Sequence, residues 1–225
     1  LKEHFSKILD IKILLDEEFK SLRRHNIKFF NQDIVNSIDD VIREFKKGKK
    51  ILVILNTVDT SIEFYRKIRD KFTSMQLKTD SLLLYHSRFI EKHRMEKEEL
   101  IKTSEKKKEG FIAITTQVIE VSLDIDYDML FTQIAPLDAL IQRFGRINRK
   151  GVKSTIVENV SIYEYRENDK LIYGEEILKK SNDIIEESLT GRIPSENDIA
   201  NLIDIQYPKE KTLKDYICEW TKKVR

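Results

Sequence analysis

Three arginines, Arg143, Arg146 and Arg149, recur at intervals of three in the stretch PLDALIQRFGRINRKG (residues 136–151), beside Gln142 and Gly145. A guanidinium is planar, permanently charged and forked, which suits it to the oxygens of a phosphate. No Asp or Glu occurs from Ala139 through Val157, so ion pairing within the segment is unavailable and the counter-charge must come from elsewhere. Placed on a helix at about 100° per residue, Leu137, Leu140, Ile141 and Phe144 share one face, and Gln142, Arg146 and Arg149 lie roughly opposite. The spacing therefore predicts a basic face directed away from the core. A solvated helix end, where cations favour the dipole, is the alternative that needs no ligand.

The elements that must hold these side chains alternate in type. KKILVILN (49–56), DSLLLYHS (80–87), GFIAITT (110–116) and DMLFTQIA (128–135) are short apolar runs that predict strands, and the segments at 57–72 and 88–102 have helical spacing. Pro136 stands where proline is tolerated, at the first turn of the next helix. Buried strands alternating with helices predict an α/β fold, a parallel sheet covered by helices on both faces, with its sites at the carboxyl ends of the strands. Residues 1–48 read as mainly helical, with an apolar stripe of Ile34, Ile38, Val41, Ile42 and Phe45 ending at Gly48. STIVENVSIYEY (154–165) alternates as a strand does, and helices are expected near 171–188, 195–204 and 211–222.

Composition narrows the class. The 225 residues are 40% hydrophobic and 36% charged, enough to bury a core, and 41 Lys and Arg against 39 Asp and Glu give a formal net charge of only +2. A polyanion site must then be local. The single cysteine, Cys218, excludes an internal disulfide and a cysteine-rich zinc site, and nothing resembles a signal peptide or a spanning segment. A reducing cytoplasm and no membrane partner are the resulting expectations.

QRFGRINRKG resembles motif VI of superfamily two helicases, and AITTQVIEVSLDIDYD (113–128) resembles their motif V at the expected distance upstream. ILVILNTVDTSIEFYRKI (51–68) is similar to motif IV, and LYHSRF with Arg94 to the motif that follows it. The wording NTV, HSRF, EVSLDID and PLDALIQRFGRINRKG most closely resembles the CRISPR-associated helicase-nuclease of type I systems. The resemblance covers roughly residues 31–165. It implies a RecA-like helicase domain two at 31–165, a linker or preceding-domain edge at 1–30, and a helical extension at 166–225.

The same resemblance implies roles. Arg146 and Arg149 would approach the γ-phosphate of ATP, one of them as arginine finger. Gln142, Gly145 and Asp124 would serve the nucleotide side, Asp124 by touching the ribose or positioning an arginine. Arg143 would tie the motif to neighbouring acidic groups, Glu120 being a candidate. Asn56, Thr57, His86, Ser87, Arg88, Thr115 and Thr116 would grip single-stranded DNA. Thr57, Thr115 and Thr116 could equally cap helices, and His86 could be a turn residue.

A complete ATP motor also needs a phosphate cradle, G-x-x-x-x-G-K-[ST], and an acidic pair for Mg²⁺. The cradle pattern does not occur in these residues, and Asp16 and Glu17 read as exposed side chains rather than as that pair. None of the four histidines is followed by Asp, so the metal nuclease of the family is not expected here. Mg²⁺ would be held by a first RecA-like domain, and the further partners implied are the nuclease and a crRNA-guided surveillance complex. A non-catalytic RecA-like interaction module, or half of another superfamily two helicase acting on RNA or duplex DNA, are the competing readings.

Overall fold

The computed structural model describes residues 20–151 and 158–207; Asp16, Glu17, Cys218 and the helix expected at 211–222 lie outside them. Six strands, β1 (Ile27–Phe30), β2 (Lys50–Ile54), β3 (Leu82–Tyr85), β4 (Phe111–Thr115), β5 (Met129–Gln133) and β6 (Val160–Tyr163), form one sheet in the order β1-β6-β5-β2-β4-β3. Every pairing is parallel, with Ile51 opposite Ile112 on one side and Met129 on the other. The central strand KILVI is buried throughout, as a strand covered on both faces must be.

The helices divide between those faces. Helices α1 (Ile38–Lys46) and α2 (Val58–Ser74) set Ile38, Val41, Ile42, Phe64, Ile68 and Phe72 against Ile51, Val53 and Leu55 of the β2 segment. The opposite face of the sheet, with Leu52 and Ile54, is packed by α3 (Glu91–Ser104), α4 (Val118–Ser122), α5 (Leu137–Phe144), α7 (Glu175–Ser188) and α8 (Glu196–Gln206); α6 (Lys170–Tyr173) is a single turn before α7. Leu137, Leu140 and Phe144 of α5 are almost fully buried, each contributing on the order of 1.5–3 kcal/mol. Gly110, just before β4, is required by close approach, because a Cβ there would clash with the Phe45 carbonyl oxygen.

One expectation changes. The stretch expected to be mainly helical supplies β1, which pairs with β6 through Ile27–Val160 and Phe30–Tyr163. IKFF is too short for its period to distinguish a strand from a helix, and the sheet edge decides. The helices near 171–188 and 195–204 form, and they share the core under α5: Leu178, Ile184, Ile185, Ile199 and Leu202 are buried in it. Helix α5 has no side-chain cap of its own, and its first N–H, from Leu137, is donated to Gln206 Oε1 at 2.7 Å.

Candidate functional site

The three arginines separate in space. Helix α5 stops at Phe144, with Gly145 as its C-cap. Arg146 and Arg149 therefore lie on the turn beyond the helix and not on its outer face, a correction to the helical projection. Asn148 takes the left-handed conformation (φ 46°) that an asparagine tolerates, and its amide donates to the Arg24 carbonyl at 3.0 Å. The turn is pinned to the segment entering β5 by a parallel bridge between Tyr127 and Ile147. Arg146 and Arg149 thus sit beside the start of a strand, whereas sites were expected at the carboxyl ends.

Counter-charges arrive from the 120–126 segment. The Arg149 guanidinium pairs with Asp124, and the Arg149 N–H donates to Asp126 Oδ1 at 2.9 Å. Arg146 donates to the Glu120 carbonyl, while its Nε is buried with no acceptor. Burial lowers the Arg146 pKa, with the Glu120 carboxylate acting against the shift. Arg24, Gln142, Gly145, Arg146 and Arg149 line an open cleft of about 360 Å³. Gln142 and Arg149 are exposed and Arg146 half-buried, so several donors face one space that an anion could enter.

Arg143 is fully buried. Helical side chains tilt toward the helix N-terminus, which carries its guanidinium back to the strand ends. There Nε donates to Glu120 Oε1 (2.8 Å), Nη1 to Thr132 Oγ1 (2.8 Å) and the Gln133 carbonyl (3.1 Å), and Nη2 to Asn56 Oδ1 (3.1 Å) and the Tyr173 hydroxyl (3.2 Å). The Asn56 amide donates to the Ile134 carbonyl (2.8 Å), and Gln117 Nε2 to the Asn56 carbonyl (2.7 Å) and Tyr173 (2.9 Å). Gln133 Nε2 reaches the buried Asp169 carboxylate at 3.0 Å, whose pKa is raised by burial.

The residues expected to hold a nucleic-acid strand surround a second open cleft, of about 600 Å³, at the carboxyl ends of β2, β3 and β4. Asn56, Thr57, Ser87, Arg88, Thr116 and Gln117 line it. Thr57 also caps α2, accepting from the Thr60 N–H at 3.1 Å, and Arg88 pairs with Asp59 at 2.7 Å on the rim. The other two turn inward. Thr115 is buried with its hydroxyl on the Thr116 carbonyl, and His86 is buried and stacked on Phe89 at 4.3 Å, its pKa lowered by burial and by Arg88. The Asn56 side chain is likewise committed to the Arg143 network, and its backbone N–H donates to Gln133 Oε1 at 3.0 Å.

Gln117, Gln133, Asp169 and Tyr173 were not singled out from the sequence. Gln117 follows the two threonines of a quoted motif and was within reach; Tyr173 carries no local signal, because its partner is Arg143. Among the described residues no group of three or more His, Cys, Asp or Glu could hold a metal ion, and no helix is long and apolar enough to cross a membrane.

Comparison with known proteins places this geometry. The family described as CRISPR-associated nuclease/helicase Cas3, C-terminal, matches residues 47–152. A putative Cas3 nuclease/helicase of Methanocaldococcus jannaschii is 41% identical over 120 residues, which cover 52% of this chain and 15% of that protein. The Streptococcus thermophilus Cas3 nuclease/helicase is 29% identical over 232 residues, covering 93% of this chain and 23% of that protein. The chain thus spans about a quarter or less of these relatives' lengths. The crystal structure of T. fusca Cas3-ATP shares the fold, with TM-score 0.75 and 18% identity over 96% of this chain and 27% of that one. The S. cerevisiae Dbp5 structure with RNA and ADP BeF3 is more distant, at TM-score 0.51 and 14% identity over 91% of this chain and 51% of that one. With a family match over residues 47–152, relatives aligned along most of its length and a shared RecA-like sheet, this chain is similar to the C-terminal helicase domain of Cas3.

Proposed function

We propose that the chain is the second motor domain of an ATP-dependent single-stranded DNA translocase and helicase in CRISPR interference. The observation that carries this reading is the division of labour among the arginines. Arg146 and Arg149 line one cleft, the strand-binding candidates line another, and the buried Arg143 is bonded to Asn56 of the second cleft and to Glu120, whose carbonyl accepts from Arg146 of the first. ATP would lie between two RecA-like domains, a first domain supplying the phosphate cradle and Mg²⁺. The fit rests on Arg146, whose buried Nε lacks an acceptor, and on the cleft it shares with Gln142, Gly145 and Arg149. Arg146 and Arg149 would stabilise charge on the γ-phosphoryl group, and Asp124 holds Arg149 in place until phosphate oxygens replace it. Thr57, Ser87, Arg88 and Thr116 would hold the sugar-phosphate backbone, so that each closure of the domains advances the grip along the strand.

Relatives described as nuclease/helicase, a T. fusca structure with ATP and a structural match in a CRISPR RNA-guided surveillance complex support this assignment. The nuclease and the surveillance complex are the further partners proposed, and the motor unit expected at 31–165 takes in β1 from Ile27 as well, with the helices after residue 165 as its extension. The chain alone should hydrolyse almost no ATP. Combined with a first RecA-like domain of the family, DNA-stimulated hydrolysis should fall about a thousandfold in Arg146→Ala or Arg149→Ala. Two variants with undiminished rates would remove the finger assignment.

A further inference from the structure

The cleft at the strand ends has an apolar wall that the helicase motifs do not supply. Leu171 and Ile172, adjacent on α6, line it together with Thr57, Asp59, Arg88, Thr116 and Gln117, and they are 88% and 49% exposed. The turn that carries them is held from below. Tyr173 accepts from Gln117 and Arg143, and Asp169, just before the turn, accepts from Gln133 Nε2 at 3.0 Å and from the Arg166 N–H at 2.7 Å. Gly174, with φ 81°, closes the turn in a conformation an L side chain rarely adopts. With Tyr173 and Asp169 directed inward, the two aliphatic side chains between them are left facing water. Other exposed large apolar residues, such as Met75, Met95 and Ile205, do not line this cleft.

We propose that Leu171 and Ile172 form the base-contacting wall of this cleft, packing against the faces of unstacked bases in a single strand whose sugar-phosphate backbone lies along the polar wall. This rests on the strand-cleft reading above and adds a contact that no helicase motif assigns. The chemistry favours one occupant. A lining that combines the hydroxyls of Thr57, Ser87 and Thr116 and the Arg88–Asp59 ion pair with the bare aliphatic carbon of Leu171 and Ile172 matches a chain with a polar sugar-phosphate backbone and apolar base faces. Paired, stacked bases would not present their faces to it, so a duplex does not fit. Apolar side chains are used against base steps in this way elsewhere.

The test uses the full chain at low salt, with fluorescence anisotropy of a labelled thymidine oligomer and of an abasic oligomer of the same length. The double variant Leu171→Ser/Ile172→Ser is exposed at both positions, and its fold is checked by circular dichroism. It should bind the thymidine oligomer about tenfold more weakly than the parent, bind the abasic oligomer equally, and keep the parent's salt dependence. Unchanged binding of the thymidine oligomer overturns the proposal, and so does an equal loss on both oligomers, which would make the pair a packing element. A parent that binds neither oligomer removes the strand-cleft reading together with this one.

Discussion

Removing the Arg143 guanidinium would strand the Glu120 carboxylate, which is only 9% exposed, and leave the Asn56, Thr132 and Tyr173 oxygens short of a donor. Breaking a buried ion pair from one side costs more than replacing both members, because the remaining charge stays desolvated. Arg143→Met should therefore lose about 3–5 kcal/mol in urea unfolding, and the added change Glu120→Gln should recover part of it. A loss below about 1 kcal/mol would mean that water takes over the site. The contrast with Arg149 is instructive: its pair with Asp124 is largely exposed, so its removal should scarcely alter stability and its effect should show in turnover. Arg143, Arg146 and Arg149 look alike in sequence and are spaced evenly, yet one is a structural post and two border a cleft.

The turn carrying Arg146 and Arg149 depends on the segment before β1. His25 is buried, and its Nε2–H donates to the Phe144 and Ile147 carbonyls at 2.9 and 3.2 Å, directly under that turn. Burial and the neighbouring Arg24 guanidinium push the imidazole pKa down from 6.5 to about 4, against the pull of Glu196 at 3.6 Å. A folded pKa below the unfolded one means that the unfolded chain takes the proton more readily. The stability linked to His25 is therefore complete above pH 6.5 and is lost as pH falls toward 4, by up to ~3 kcal/mol. Comparison of stability against pH for the parent and His25→Gln isolates this contribution from the carboxylates. The variant's curve should be flatter between pH 6.5 and 4, and parallel curves would show that His25 is not the titrating group.

Helices α7 and α8 bury Leu178, Ile184, Ile185, Ile199 and Leu202 in the same core as Leu137 and Phe144, and α8 supplies the missing cap of α5. The segment after residue 165 should then melt with the sheet. Leu178→Ala and Ile185→Ala should each cost about 2–5 kcal/mol. In calorimetry this lowers one shared transition, by roughly 2–4 °C per kcal/mol, and a separate early transition would show an independent helical unit.

Much of this organisation was legible before any coordinates. Four of the six strands stand out as apolar runs, because strands buried on both faces must be continuously hydrophobic, and β6 stands out as an alternating segment. The four motif segments, their order and the predominance of positive charge in residues 139–157 are properties of local residue identity. What the tertiary structure alone decided depends on partners distant along the chain. IKFF becomes a strand because Val160–Tyr163 is there to pair with it. Arg143 turns inward because Glu120, Asn56, Thr132 and Tyr173 converge on it, and Arg146 leaves the helix because α5 ends one turn sooner than its spacing suggests. Periodicity reports which side of an element is apolar, but a hydrogen bond to a residue 87 positions away has no trace in the local pattern.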